Sequence, residues 1–399
     1  MTPSKTAQHK GEFIALMAML TATAAFAIDS MLPALPQIAE QLSPDAPNNA
    51  QFVLSSFVFG MGAGTLLAGP LADAFGRRFT IMGGLIIYAI GAALVWAAPS
   101  LWTVLAARFL MGLGASGPRV SVMAVVRDKY QGAEMAKLMS VVMMVFMIVP
   151  AIAPTVGALI MAASDWRMIF LSLSLFSLLG MVWFHFRQPE TLAVADRRPM
   201  RIGNILAAAK EVVGTRVAAV SIVVQTLAMT SLFAGLQMAV DIFEKSYHQG
   251  HNFHLWFVLI ACGSAGASLL NSALVGRFGM RRIVVTMLFL QIFNCILLAV
   301  ALTVGMPAGI EFYFFLFWVC FTFGHISLVT GNVNAMAMQP LGHIAGSAAS
   351  VIAASSTIGS ALLAAPIGLM GNGTAWPLAI GGTVLAVLAW LMSLRLKTS

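Results

Sequence analysis

Apolar runs long enough to cross a lipid bilayer recur along the entire chain, and no other feature of the sequence constrains the fold as strongly. A helix needs about 20 consecutive, mostly apolar residues to cross the hydrocarbon. Twelve such runs lie near residues 13–36, 50–72, 79–98, 101–124, 138–162, 166–186, 216–240, 254–276, 282–304, 311–337, 344–370 and 374–395. Of the 399 residues 60% are hydrophobic and 9% charged, too little charge to clothe a water-soluble globule of this size. A barrel would show short alternating strands, whereas these runs are continuous; a helix also satisfies its own backbone polar groups in lipid. The expected fold is an all-α integral membrane protein of twelve transmembrane helices in contact with the bilayer.

The formal charge of +8 would suit a nucleic-acid partner, but the placement of the basic residues argues against one. Alternating the spans from a cytoplasmic N-terminus puts Lys5, Lys10, Arg77, Arg78, Arg127, Lys129, Lys137, Arg187, Arg197, Arg198, Arg201, Lys210, Arg216, Arg277, Arg281, Arg282, Arg395 and Lys397 on one side, 18 of the 22. Arg167 and Lys245 fall outside. This asymmetry follows the positive-inside rule and predicts that both termini are cytoplasmic. Arg108 and Arg119 fall inside the fourth span, where a charge is costly and usually functional. The N-terminal run could be mistaken for a secretory signal ending near Ala24–Ala27. It continues through Asp29 to Pro36 and many spans follow, so it reads as the first of them. Cys262, Cys295 and Cys320 stand alone in separate spans with no metal-ligand spacing, as packing residues do.

The longest polar stretch, about 187–216, carries Pro189, Pro199 and six basic residues and divides the spans into six plus six. The expected organisation is an N-terminal six-helix bundle over 1–186, a cytoplasmic linker over 187–215 and a C-terminal six-helix bundle over 216–399. Leu71, Phe75, Gly76 and Arg78 recur as Leu274, Phe278, Gly279 and Arg281 at one offset of 203, which indicates a parallel duplication of a six-helix unit. Gly276 stands where the first copy has Asp73. Either the second loop has drifted because it only needs to turn, or a switchable ion pair belongs to the first half alone.

Between the second and third spans lies Gly69-Pro70-Leu71-Ala72-Asp73-Ala74-Phe75-Gly76-Arg77-Arg78. This loop resembles the signature of the major facilitator superfamily, Gly-x-Leu-Ala-Asp-Arg-x-Gly-Arg-Arg/Lys, with Ala74 at a position that is usually basic. Arg108-Phe109-Leu110-Met111-Gly112 is similar to the family's Arg-x-x-Gln-Gly, with Met111 replacing Gln. Ala153-Pro154-Thr155-Val156-Gly157-Ala158 resembles the antiporters' Gly-Pro-x-x-Gly-Gly, two glycines having become alanine. Asp29 followed by Leu32-Pro33-Ala34-Leu35-Pro36 is similar to the bicyclomycin/chloramphenicol-resistance (Bcr/CflA) branch of drug:proton antiporters. Trp166-Arg167, Pro189-Glu190-Thr191 and Gly346-Ser347-Ala348 extend the resemblance over essentially the whole chain. It implies the major facilitator fold, two pseudo-symmetric six-helix bundles that alternate access. It further implies a monomeric inner-membrane antiporter that exports small organic molecules or drugs, uses no cofactor and is driven by the proton gradient.

Carried onto these positions, the resemblance makes Asp73, Gly76, Arg77 and Arg78 a conformational latch. Arg127, at the same end of the fourth span, is the expected partner of Asp73. These residues could instead only anchor helix ends at the interface. Asp29 is the candidate proton carrier and Arg108 its partner and modulator, because a carboxyl beside a low-dielectric cavity trades its proton according to what faces it. A static pair that holds two helices together is the alternative.

Arg119 stands eleven residues after Arg108, within about 20° of the same helix face and roughly 16 Å nearer the cytoplasm. It is either an anchor for an anionic, acceptor-rich ligand or a structural arginine satisfied by carbonyls or by snorkelling. Pro150, Pro154 and Gly157 mark a kinked fifth span that another helix can approach closely. In the seventh span Gln225, Met229, Phe233, Gln237 and Asp241, spaced by four, form a stripe that could face substrate. Asn332 and Asn334 in the tenth, with His325 above them, add hydrogen-bonding capacity or simply join helices. With 26 Met and 26 Phe, an adaptable lining or a lipid-facing surface is equally available.

The expectation is therefore a proton-coupled exporter. Its rival is a transporter of a specific organic anion, such as a siderophore or acidic metabolite, held by Arg119. A membrane enzyme or sensor is disfavoured, since no metal-ligand cluster, nucleophile constellation or soluble catalytic domain is visible.

Overall fold

A computed structural model describes residues 9–197 and 199–396; Lys5, Arg198 and Lys397, named above for their charge, lie outside the described residues. Those described form fourteen α-helices and no strand: α1 (Lys10–Asp29), α2 (Leu35–Leu42), α3 (Phe52–Phe75), α4 (Arg77–Trp96), α5 (Leu101–Lys129), α6 (Gly132–Ala163), α7 (Arg167–Arg187), α8 (Ile202–Gly214), α9 (Arg216–Lys245), α10 (Phe253–Phe278), α11 (Met280–Val304), α12 (Ala308–Met338), α13 (Ala345–Leu369) and α14 (Trp376–Ser393). All but α2 and α8 have the length to cross a bilayer, and each covers one expected span. Among the described residues eleven continuous apolar stretches qualify as spans, and the longest, Gly309–Leu369, takes in α13 and all but the first residue of α12. The protein is a multi-pass, all-helical membrane protein.

The outward faces of the helices are as apolar as that environment requires. Ile86, Ile90 and Leu94 on α4, Leu175, Leu179 and Phe186 on α7, and Phe289, Phe293 and Val300 on α11 are exposed. Their spacings of four and seven place them on one side of each helix. In water they would drive aggregation; against lipid tails they cost nothing.

Helices α1 and α3–α7 pack chiefly on one another, as do α9–α14, and the two sets meet along α3–α13 and α6–α10. Within the first set α5 is sandwiched by close backbone contacts. A Cβ at Gly112 would lie 2.1 Å from the Phe57 carbonyl of α3, and one at Gly114 would lie 2.3 Å from the Tyr88 amide of α4. The duplication is visible in the turns. Gly76 and Gly279 both take positive φ, +102° and +77°, a conformation that favours glycine. Arg78 Nη2 then donates to the His185 carbonyl (2.9 Å) near the end of α7, and Arg281 Nη2 to the Leu394 carbonyl (3.1 Å) just past α14.

The two ends of the bundle differ. The end carrying Lys10, Lys129 and Arg187 is termed the basic end, and the opposite one the far end. At the far end Asn48 Nδ2 donates to the carbonyls of Leu369 (3.0 Å) and Gly371 (2.6 Å), and Gln237 Nε2 to Ser55 Oγ (2.8 Å), so the two sets are joined there. At the basic end a crevice of about 210 Å³ opens between α3, α5, α13 and the segment leading into α8, with Asp73, Arg77, Arg127 and Arg201 on its walls. The stretch read as a polar linker holds the thirteen-residue helix α8, whose Ala208 and Val212 are buried.

Candidate functional site

Between the two sets lies a cavity of about 310 Å³, within the range that holds drug-sized ligands. Helices α1, α3, α5, α6, α9, α10, α12 and α13 all contribute to it. Its walls are apolar, with Ile28, Met61, Met229, Leu232, Phe233, Leu236 and Phe323 prominent. The polar groups among its lining residues are Asp29, Arg119, Ser264, Ser327 and Thr357.

Asp29 reaches this cavity because α1 stops there. Pro33 has no N–H to bond the carbonyl four residues back, which is that of Asp29, so the α-ladder ends and a short turn leads into α2. The side chain is 5% exposed and lines the cavity without a hydrogen-bond or ion-pair partner among the described residues. Arg119, on the face of α5 that the helical period indicates, lines the same cavity and is likewise unpartnered.

Arg108 departs from expectation. It makes no ion pair with Asp29 and is completely buried beside α1 and α3. Its Nε donates to the Val53 carbonyl and its Nη1 to the Ala27 carbonyl, both at 3.1 Å, while Nη1 also approaches Met111 Sδ at 3.5 Å. The guanidinium stacks over Phe57, 4.4 Å from the ring centroid. Helix carbonyls and a π face therefore replace the expected carboxylate. Arg108 acts on α1 through the backbone at Ala27, two residues before Asp29.

The loop at residues 69–78 is also wired differently. Asp73 pairs with Arg77 Nη1, and Arg77 Nε reaches Asp128 Oδ2 at 3.2 Å. Arg127 faces the same crevice as Asp73 but forms no ion pair with it; the next residue, Asp128, points its carboxylate at the loop instead. Glu190, noted in the sequence only for its family resemblance, closes the assembly. Its Oε1 accepts from the Arg77, Thr191 and Leu192 amides (2.9, 3.0 and 3.0 Å) and its Oε2 from the Arg78 amide (3.0 Å). A carboxylate on the first N–H groups of α4 satisfies orphan donors and complements the helix dipole. In the second copy Gly276 leaves no carboxylate, and among the described residues Arg277 and Arg282 take part in no ion pair.

On α6 Pro150 lines the cavity, while Pro154 lies a turn further on. Gly157 touches α1 just past Asp29: a Cβ there would lie 1.9 Å from the Ser30 carbonyl oxygen. The α9 stripe divides. Met229 and Phe233 line the cavity, whereas Gln225 points its amide toward Met229 Sδ (3.9 Å) and is not among the lining residues. Gln237 sits in the far-end contact with Ser55, outside the cavity, and Asp241 pairs with Lys245 (3.4 Å). Asn332 is also outside it: its Nδ2 is taken by Asn271 Oδ1 (2.8 Å) and the Leu328 carbonyl (2.7 Å), which joins α12 to α10. The sequence did not single out Met61, Ser264, Ser327 or Thr357. Small polar residues in apolar helices carry no periodic signal, so only their placement reveals them.

The comparisons agree with this architecture. Residues 15–364 match the model of the Major Facilitator Superfamily. The chain is 31% identical to a bicyclomycin resistance protein homolog from Haemophilus influenzae, over 98% of this chain and 99% of the relative. It is 34% identical to a chloramphenicol resistance protein from Pseudomonas aeruginosa, over 41% of this chain and 39% of the relative. Among solved structures a D-xylose-proton symporter superposes with a TM-score of 0.75 at 15% identity, covering 97% of this chain and 98% of the other, which speaks for the fold alone. The chain is a transporter, not an enzyme, and it belongs to the Major Facilitator Superfamily, in the bicyclomycin-resistance (Bcr/CflA) branch.

Proposed function

We propose that the protein is a proton-coupled exporter of small organic molecules in a bacterial inner membrane, with both termini cytoplasmic, working as a monomer by alternating access. The observation that carries this reading is the Asp29 carboxyl, almost fully buried, facing the cavity between the two helix sets with no partner among the described residues. A carboxyl so placed is free to take a proton or to receive a ligand's donor, and its choice changes with what else occupies the cavity. In each cycle the sets over 1–186 and 216–399, joined by 187–215, rock about the α3–α13 and α6–α10 contacts, opening the far end as the basic end closes. The Asp73–Arg77–Asp128 chain holds one of those states. Apolar walls rich in Met and Phe suit a broad range of cargo. The names of the relatives, resistance to bicyclomycin and to chloramphenicol, favour drug export.

The test is the purified protein in proteoliposomes under an imposed pH gradient, with chloramphenicol, bicyclomycin and a panel of lipophilic cations as cargo. Substrate-driven proton movement is expected, and Asp29→Asn is expected to abolish it while substrate still equilibrates down its own gradient. Undiminished proton movement in Asp29→Asn, or none in the wild type across the panel, overturns the proposal.

One observation favours a second reading. Arg119 lines the cavity without a counter-ion among the described residues, as the anchor of a dedicated organic-anion carrier would. Unchanged transport of every cargo, anions included, in Arg119→Ala would dismiss it.

A further inference from the structure

Asp29 and Arg119 are the two ionisable side chains on the cavity wall, and no ion pair joins them. They lie at different depths. Arg108 bonds the Ala27 carbonyl, so Asp29 stands near the level of Arg108, whereas Arg119 is eleven residues along α5, about 16 Å of helix rise toward the basic end. The rest of the wall is mainly apolar, with Met61, Met229, Phe233 and Phe323 among its residues. The cavity thus carries an acidic group toward the far end and a cationic group toward the basic end on an otherwise apolar wall.

Arg119 stays charged in the cavity, and Asp29 becomes charged once it has released its proton; the described residues supply neither with a counter-charge. With the proton released, a singly charged ligand satisfies one and leaves the other unpaired. A ligand with a donor cation at one end and an acceptor anion at the other satisfies both. A guanidinium also presents parallel donors that match a carboxylate or phosphonate, whereas a short carboxylate at the closed end of a helix suits a compact ammonium.

We propose that the preferred cargo is an elongated amphipathic zwitterion, its amine at Asp29, its acid group at Arg119 and its apolar body against the Met and Phe wall. This inference rests on the reading of the cavity as the transport site. It unites the two readings above, since a cation-like and an anion-like cargo would each use half of one site.

Three matched probes test it: 4-(4-aminobutyl)benzoate, which carries both charges; its methyl ester, which keeps the cation; and 4-butylbenzoate, which keeps the anion. Binding to the purified full-length protein is measured by titration calorimetry at neutral pH. The zwitterion is expected to bind at least about tenfold tighter than either singly charged probe, the scale of one charge-assisted hydrogen bond in a dry site. Arg119→Gln is expected to erase its advantage over the ester, and Asp29→Asn its advantage over 4-butylbenzoate. A zwitterion no tighter than the better singly charged probe, or no binding by any of the three, overturns the inference. Because the wild-type comparison needs no variant, misfolding of a variant does not rescue it. Proton-driven export of the ester without preference for the zwitterion sinks this inference and leaves the export reading intact. Zwitterion preference without proton-driven movement does the reverse.

Discussion

Gln237 of α9 donates a 2.8 Å hydrogen bond to Ser55 Oγ of α3, and the bond bridges the two helix sets at the far end. Neither Gln237 Oε1 nor either polar atom of the neighbouring Gln51 side chain has a protein partner. With only this bond and the two from Asn48 across the far end, beside several orphaned atoms, the seal is poised to open. Ser55→Ala leaves the Gln237 amide buried and unpaired only while the seal is shut. Hydrogen bonds between membrane helices contribute about 0.6 kcal/mol on average, so the variant is expected to shift the closed-to-open ratio about threefold toward open. Spin-label distances between positions 45 and 251, exposed on opposite sides of the seal, report the ratio. An unchanged distance distribution would contradict this.

Arg77 joins Asp73 and Asp128, and its side chain is 12% exposed against 48% for Asp73 and 22% for Asp128. The half-exposed Asp73 pair is screened by water and contributes below about 1 kcal/mol. Asp128 is better shielded and also accepts from Thr191 Oγ1 at 2.9 Å, so its loss should cost about 1–2 kcal/mol. Transport rates are therefore expected to fall most for Arg77→Ala, next for Asp128→Asn, then for Asp73→Asn, with Arg127→Ala nearest the wild type. A collapse with Arg127→Ala that exceeds that with Asp128→Asn would return the latch to the arginine.

These two contacts show what a sequence carries and what it withholds. All twelve spans and the matched turns at Gly76 and Gly279 were legible, because membrane thickness, glycine stereochemistry and a constant repeat offset act on local sequence. Arg108 is legible as a buried charge inside a span. Its partners are not: a guanidinium donates to carbonyls that every residue owns, so no sequence pattern marks Val53 or Ala27. The same limit applied at the loop, where adjacent Arg127 and Asp128 point their side chains differently and only the tertiary contact chooses between them. On α9 a spacing of four put Met229, Phe233 and Gln237 on one face. That face runs from the cavity into the seal, so one stripe serves two sites.

Gly157 sets how closely α6 approaches the end of α1. A Cβ would fall 1.9 Å from the Ser30 carbonyl oxygen, and a backbone atom at that contact yields only if a helix moves. Gly157→Ala is expected to destabilise the protein by about 1–3 kcal/mol through overpacking, and to slow transport by displacing Asp29. Gly263→Ala and Gly266→Ala, where nothing lies within 4 Å, serve as controls expected to melt like the wild type. Thermal melts in detergent compare the three, and equal melting of all three would refute the close contact.

Glu190 ties the start of the linker to the start of α4 through four amide donors, two from Arg77 and Arg78 and two from Thr191 and Leu192. Gly76 leaves room for it, since a Cβ there would lie 2.2 Å from Glu190 Oε2. Glu190→Ala orphans the N–H groups of Arg77 and Arg78 and removes the negative charge at the helix N-terminus, a loss of about 1–2 kcal/mol by analogy with other N-terminal caps. Glu190→Gln keeps one acceptor oxygen but turns an NH₂ group toward an amide donor, so it should fall between alanine and the wild type. Amide hydrogen exchange over residues 77–80 and 190–192 is expected to quicken in both variants, in the order alanine then glutamine. Because Thr191 Oγ1 also bonds Asp128, the same variants should loosen the Arg77–Asp128 contact and slow transport. Faster exchange with unchanged transport would show that the clamp only caps a helix and has no part in the latch.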